Sequence, residues 1–119
     1  MSPVVANLLR GEIEAEIGGE RRTLCLTLGA LAELEAAFGA GDVIALAERF
    51  QRGGLSARDI TIIIACGLRG AGADVRDDEV AAMRAPGGLS AYVRIAADLI
   101  AATFGGAAEA PRPPAPQDA

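Results

Sequence analysis

The chain has 119 residues, room for one domain around a single core, and just over half of them are apolar. Its net charge is −5, all eleven of its positive charges are arginines, and it has no histidine. The acidity argues against non-specific nucleic-acid binding, which needs a dense positive surface to release counterions. The missing histidine removes the commonest general base and metal ligand, which counts against an enzyme.

Much of the apolar content is alanine, and only three Phe and one Tyr add bulk. A core of Leu, Ile and Val is therefore expected, with alanine letting helices approach closely. The all-arginine usage fits a GC-rich coding bias. Cys25 and Cys66 form no CxxC pair and lie in apolar surroundings, which points to buried free thiols in a reducing compartment. The opening Met1-Ser2-Pro3 does not read as a signal peptide. The apolar run Ile60–Leu68 is too short to cross a bilayer, so a cytoplasmic location without membrane contact is expected.

Residues 1–7 read as a lead-in. From Leu9 to Ile17 the pattern alternates, with Leu9, Gly11, Ile13, Ala15 and Ile17 on one face. Arg10, Glu12, Glu14 and Glu16 occupy the other, as in a half-buried strand. Gly18-Gly19 signals a tight turn, and alternation resumes with Leu24, Leu26 and Leu28 inward. The hairpin, about residues 8–28, cannot stand alone in water and must be covered by the rest of the chain.

Residues 29–105 read as four to five helices. Leu31, Leu34 and Phe38 form the first stripe, ended by Gly39 and Gly41. Asp42 caps a second helix carrying Val43, Leu46, Ala47 and Phe50, with Gly53-Gly54 as its stop. Ser56-x-x-Asp59 is a capping box opening a third, on which Ile60, Ile63, Ile64 and Leu68 share a face. Asp77 and Asp78 begin a short fourth helix with Val80 and Met83, stopped at Pro86-Gly87-Gly88. A fifth, Leu89 to Phe104, buries Tyr92, Ile95, Ala96, Leu99 and Ile100 before Gly105-Gly106. The fold class expected is α+β, an N-terminal hairpin on about four to five helices in a single domain, residues 1–106. Residues 107–119, with four prolines and three charges, read as a disordered tail whose PxxP spacings are a weak partner signal.

Apparent motifs have plainer readings. Gly67-x-x-Gly70-x-Gly72 is no phosphate loop, since the chain has no lysine and these glycines sit at a helix end. C-terminal capping accounts for them. Glu12, Glu14 and Glu16 are spread about 7 Å apart along a strand, too far for one ion, and make a solvated edge that resists aggregation. Asp74, Asp77, Asp78 and Glu79 lack EF-hand spacing and suit a helix start. No metal or cofactor is expected.

The helical wheel supplies the candidate partner face. Ile62 lies opposite Ile60, Ile63 and Ile64, near Arg58, Cys66 and Arg69. The third helix is therefore central and buried all round, or Ile62 is exposed and marks a partner site; a small five-helix domain needs a central helix, which favours burial. Glu35 sits beside the Leu31/Leu34/Phe38 stripe, where it pairs with Arg21 or Arg22, or faces a partner. Glu35, Arg58, Ile62, Cys66 and Arg69 are thus the candidate partner-binding residues. An uncapped hairpin edge also leaves open pairing between copies into a homo-oligomeric ring.

The run Thr27-Leu28-Gly29-Ala30-Leu31-Ala32-Glu33-Leu34-Glu35 after a hairpin strand, with Leu55-Ser56-Ala57-Arg58-Asp59 and Val80-Ala81-Ala82-Met83-Arg84, resembles the gene transfer agent family of small phage-tail proteins. The resemblance spans roughly Leu8 to Gly105. Members are described as tail assembly chaperones and, in older labels, as tail tube proteins. The resemblance implies a chaperone that coats the tape-measure protein and helps recruit tail-tube subunits, with a structural subunit of the tail as the alternative. It brings no catalytic residues.

Overall fold

The structure, a computed structural model, describes residues 11–105. Leu9 and Arg10 of the expected strand, and the proline-rich segment 107–119, lie outside the described residues. Strand β1 (Glu12–Ile17) and strand β2 (Glu20–Cys25) pair antiparallel, with Ile17 opposite Glu20 and Glu12 opposite Cys25. The two residues between them, Gly18 and Gly19, have φ of 66° and 83°. Positive φ at both central positions is the hairpin turn whose twist matches that of paired strands, and only glycine takes it without strain. Ile13, Ile17 and Leu24 turn inward, as the alternation predicts.

The alternation ends sooner than expected. Leu26 is buried, but Leu28 is 83% exposed. The reason is Thr27, whose Oγ1 accepts a hydrogen bond from the backbone N–H of Ala30 and so starts a helix. Helix α1 (Leu28–Phe38) then takes over the phase, and its first residue points away from the core that Leu31 and Leu34 enter. Gly39, at φ 68°, ends it in the left-handed conformation.

Helix α2 (Val43–Gln51) is capped by Asp42, whose Oδ1 accepts from Ala45 N at 2.8 Å. Helix α3 (Ala57–Gly70) opens with the full capping box, Ser56 Oγ accepting from Asp59 N and Asp59 Oδ2 from Ser56 N, both at 3.1 Å. Every residue from Ile62 to Leu68 is buried, and α3 packs against β2, α1, α4 (Asp77–Ala82) and α5 (Leu89–Ile100). It is the central helix, and Ile62, 8% exposed, belongs to the core.

The close approach to α3 depends on two glycines. A Cβ on Gly67 would come within 2.5 Å of Leu99 Cδ2, and one on Gly70 within 2.0 Å of the Cys25 carbonyl oxygen. Of the three glycines read as caps, Gly72, at φ 104°, lies past the helix end. Gly67 and Gly70 instead lie inside α3 and make room for α5 and β2.

The hairpin is also tied to the far end of the chain. Gly18 N donates to the Arg84 carbonyl at 2.7 Å, and the Tyr92 hydroxyl donates to the Met83 carbonyl. The fifth helix differs from the single element expected. It ends as an α-helix at Ile100 and continues as one π-helical turn, Ala101–Gly105, with Thr103 Oγ1 donating to the Leu99 carbonyl at 2.8 Å. That turn brings Phe104 within 6.1 Å of Phe50, whose ring meets Phe38 edge-on at 5.3 Å. The three phenylalanines thus form one cluster joining α1, α2 and the end of α5.

Candidate functional site

The five candidate residues do not form one site. Cys66 and Arg69, on adjacent turns of α3, face α1 and meet Glu33 there. Arg69 Nη2 donates to Glu33 Oε1 at 2.8 Å, and the Cys66 thiol donates to the same oxygen, Sγ to Oε1 3.4 Å. The other guanidinium nitrogen, Nη1, donates to the Val75 carbonyl and to Asp77 Oδ1, both at 3.0 Å. One arginine therefore fastens α3 to α1 and to the segment leading into α4.

The electrostatics arise from these contacts. The Arg69 hydrogen bond holds the Glu33 carboxyl below its usual range, with partial burial opposing it. Burial first, and then the Glu33 carboxylate, push the Cys66 thiol up to about 12. At neutral pH Cys66 is a protonated hydrogen-bond donor rather than a nucleophile. Arg69 is raised further by its carboxylate partners and stays charged. The cluster joins α3 to α1 and to the start of α4.

Ile62 and Cys66 are 8% and 1% exposed, so neither offers surface to a partner. Arg58 is exposed at the start of α3, well away from the Arg69 cluster along the helix. Glu35 is half-buried, and the arginine pairing open to it does not form: Arg21 pairs with Glu14 at 3.1 Å, while Arg22 donates to the Ile17 carbonyl and approaches Glu20. The ion-paired glutamate of α1 is Glu33 instead. Nothing local in the sequence marks it, because its partner is 36 residues away. The acidic cluster after α3 is likewise absorbed, Asp77 by Arg69, Asp78 by Arg76 at 3.0 Å, and Glu79 by the backbone of Arg76. Among the described residues, no group of three or more His, Cys, Asp or Glu could hold a metal ion, and no helix is long and apolar enough to cross a membrane.

Sequence reasoning missed the apolar surface of α5. Leu89 is 68% and Val93 47% exposed, and Ala97 and Ala101 continue the same i, i+4 row. A cleft of about 180 Å³ opens beside Leu89 and Tyr92, against Ile60 and Val80. A second, of about 360 Å³, opens beside Ile100 and Phe104, against Phe50 and Leu55. Among the described residues, no charged one lines either cleft. The signal was available: Leu89, Val93 and Ala97 lie on a different strip of the wheel from Ile95 and Leu99.

The described residues thus form a two-stranded hairpin packed on a helical bundle whose central member is α3. The family model for the phage tail tube protein described as GTA-gp10 matches residues 10–106, and the chain belongs to that family. No curated protein and no solved structure matches it.

Proposed function

We propose that this chain is a structural subunit of a phage-like tail, a component of the tail tube, and that it acts without catalysis. The observation that carries this reading is the family match, which spans the whole described fold and describes a tube protein. The chaperone role expected from the sequence gives way to the structural alternative because that description is of a tube component. The geometry is compatible with an assembling subunit, since the exposed large apolar residues all lie on helices.

The test is to purify the particles from producing cells and to quantify the chain by mass spectrometry. A tube subunit is present in many copies per particle. Its absence from finished particles would overturn the reading.

A second reading is favoured by one observation, the apolar row along α5. It would suit a cytoplasmic assembly chaperone that covers an apolar stripe of the helical tape-measure protein and is released before completion. That reading requires the tape-measure protein to become soluble on co-expression with this chain and to co-purify with it.

A further inference from the structure

We propose that the segment preceding β1, residues 1–10, lies as a strap across the end of α5, with Leu8 and Leu9 entering the apolar cleft between α2 and the π-helical turn. The strap goes beyond the tail-subunit reading and does not rest on it, since the family match begins only at residue 10.

The path of the chain points there. Strand β1 lies along α5 and runs against it. Gly18, at the turn, donates to the Arg84 carbonyl before α5 begins, whereas a Cβ on Gly11 would lie 3.6 Å from the Ala102 carbonyl oxygen, past the last α-helical residue. Between these ends Glu14, Ala15 and Glu16 share a groove with Ser90, Ala91 and Arg94. Traced backwards from Gly11, the chain therefore heads off the C-terminal end of α5. Leu9 precedes Gly11 by two residues, about 6.7 Å of strand, and Gly105 follows Ala102 by three, about 4.5 Å of helix. Leu9 thus comes level with Phe104 and Gly105. The period of two that turns Ile13 and Ile17 inward puts Leu9 on the same side as Gly11, toward α5.

The cleft met at that level has a volume of about 360 Å³, and Phe50, Leu55, Ile100, Phe104 and Gly105 line it. The segment matches it in chemistry. Val4, Val5, Ala6, Leu8 and Leu9 stand within seven residues, and Arg10 carries the one charged side chain of residues 1–10. Apolar area leaves water on both sides when they meet. Ten residues reach ~33 Å, enough to pass from Ala102 to Gln51 on the α2 side of the cleft. The other segment near the cleft, residues 106–119, follows Gly105 directly but holds no Leu, Ile, Val, Phe or Met. Its alanines and prolines have less apolar area to bury there. With the strap in place, the α5 row stays open to a partner at its other end, at Leu89 and Val93.

The test uses the full chain carrying Asn7→Cys and Gln51→Cys, treated with a short bis-maleimide. Mass spectrometry of the linked peptides tells these thiols from Cys25 and Cys66. Asn7→Cys with Glu20→Cys, at the opposite end of β1, is the control pair. The link from 7 to 51 within one chain is expected to form on the order of tenfold faster than the control link, because docking raises the local concentration above that of a tether alone. Leu8→Ser with Leu9→Ser is expected to remove that advantage. Ala101→Glu, an exposed position on the cleft wall, is expected to remove it too without altering the segment. A link between two chains would show a second copy in the cleft, and equal rates for the two pairs would leave the cleft to residues 106–119 or to a partner. A fast link that survives both sets of substitutions would come from proximity alone. Each of these three results overturns the proposal, and none bears on whether the chain is present in finished particles.

Discussion

Cys66 shows how one atom's surroundings set a pH response. Its thiol is buried against the Glu33 carboxylate and titrates near 12, against an ordinary value near 9. Between these values the unfolded chain has lost this proton while the folded chain keeps it. Stability is therefore intact below about pH 9 and falls as pH rises toward 12, by at most about 1.4 kcal/mol per unit. Urea denaturation at stepped alkaline pH is expected to show this fall in wild type and a shallower one in Cys66→Ala. Glu33 acts in the opposite direction: its lowered value makes its contribution present above about pH 4.5 and lost as pH falls through the folded value. Neither residue can be assigned this from its neighbours in sequence. Cys66 reads as a buried thiol, which it is, but the carboxylate facing it comes from another helix. Glu35 reads as the boundary charge, whereas the start set by Thr27 and the position of Arg69 give that place to Glu33.

At the scale of elements, the caps and the turn are legible because each is decided within four residues. Asp42, the Ser56/Asp59 box and Gly18-Gly19 all stand where the local pattern puts them. What local pattern cannot show is how closely elements approach. Gly70 illustrates this: within a helix, glycine is normally a loss of about 1 kcal/mol against alanine. Here a methyl group would lie 2.0 Å from a backbone oxygen of β2, which cannot swing aside as a side chain can. Gly70→Ala is expected to cost about 2–3 kcal/mol despite its better propensity, since overpacking outweighs it. Gly29→Ala in α1, where a methyl group would come no closer than 3.8 Å to Thr27 Oγ1, is expected to stabilise by about 0.5–1 kcal/mol. Chemical denaturation of the two variants checks both signs, and equal effects would show that the α3–β2 approach relaxes freely.

For the molecule as a whole, the central position of α3 makes subdivision difficult. It packs against β2, α1, α4 and α5, and the aromatic cluster joins α2 to the last turn. Helix α3 supplies seven of the twenty buried residues of the core cluster described. Unfolding is therefore expected to be a single cooperative transition, with helical circular dichroism and the fluorescence of Tyr92, which lies between α5 and the loop after α4, changing at the same denaturant concentration. Separate midpoints would mean that the hairpin or the α4–α5 region opens on its own. The fold class is readable from the order of periodicities, a period of two giving way to a helical period. The exposure of the α5 row is less legible: the wheel sets Leu89, Val93 and Ala97 apart from Ile95 and Leu99, but which strip stays uncovered is decided by how the other elements pack.

The contact between the hairpin turn and Arg84, and the approach of Gly11 to the Ala102 carbonyl, have a consequence for synthesis. The hairpin leaves the ribosome well before it can find its place, because the residues it rests on are made some sixty-five to ninety positions later. Until then its apolar face has no cover, and a two-stranded ribbon alone is marginal. The acidic row Glu12, Glu14 and Glu16 then has a use that the finished fold conceals. It is expected to set like charge against like charge whenever two uncovered hairpins meet before α5 is made.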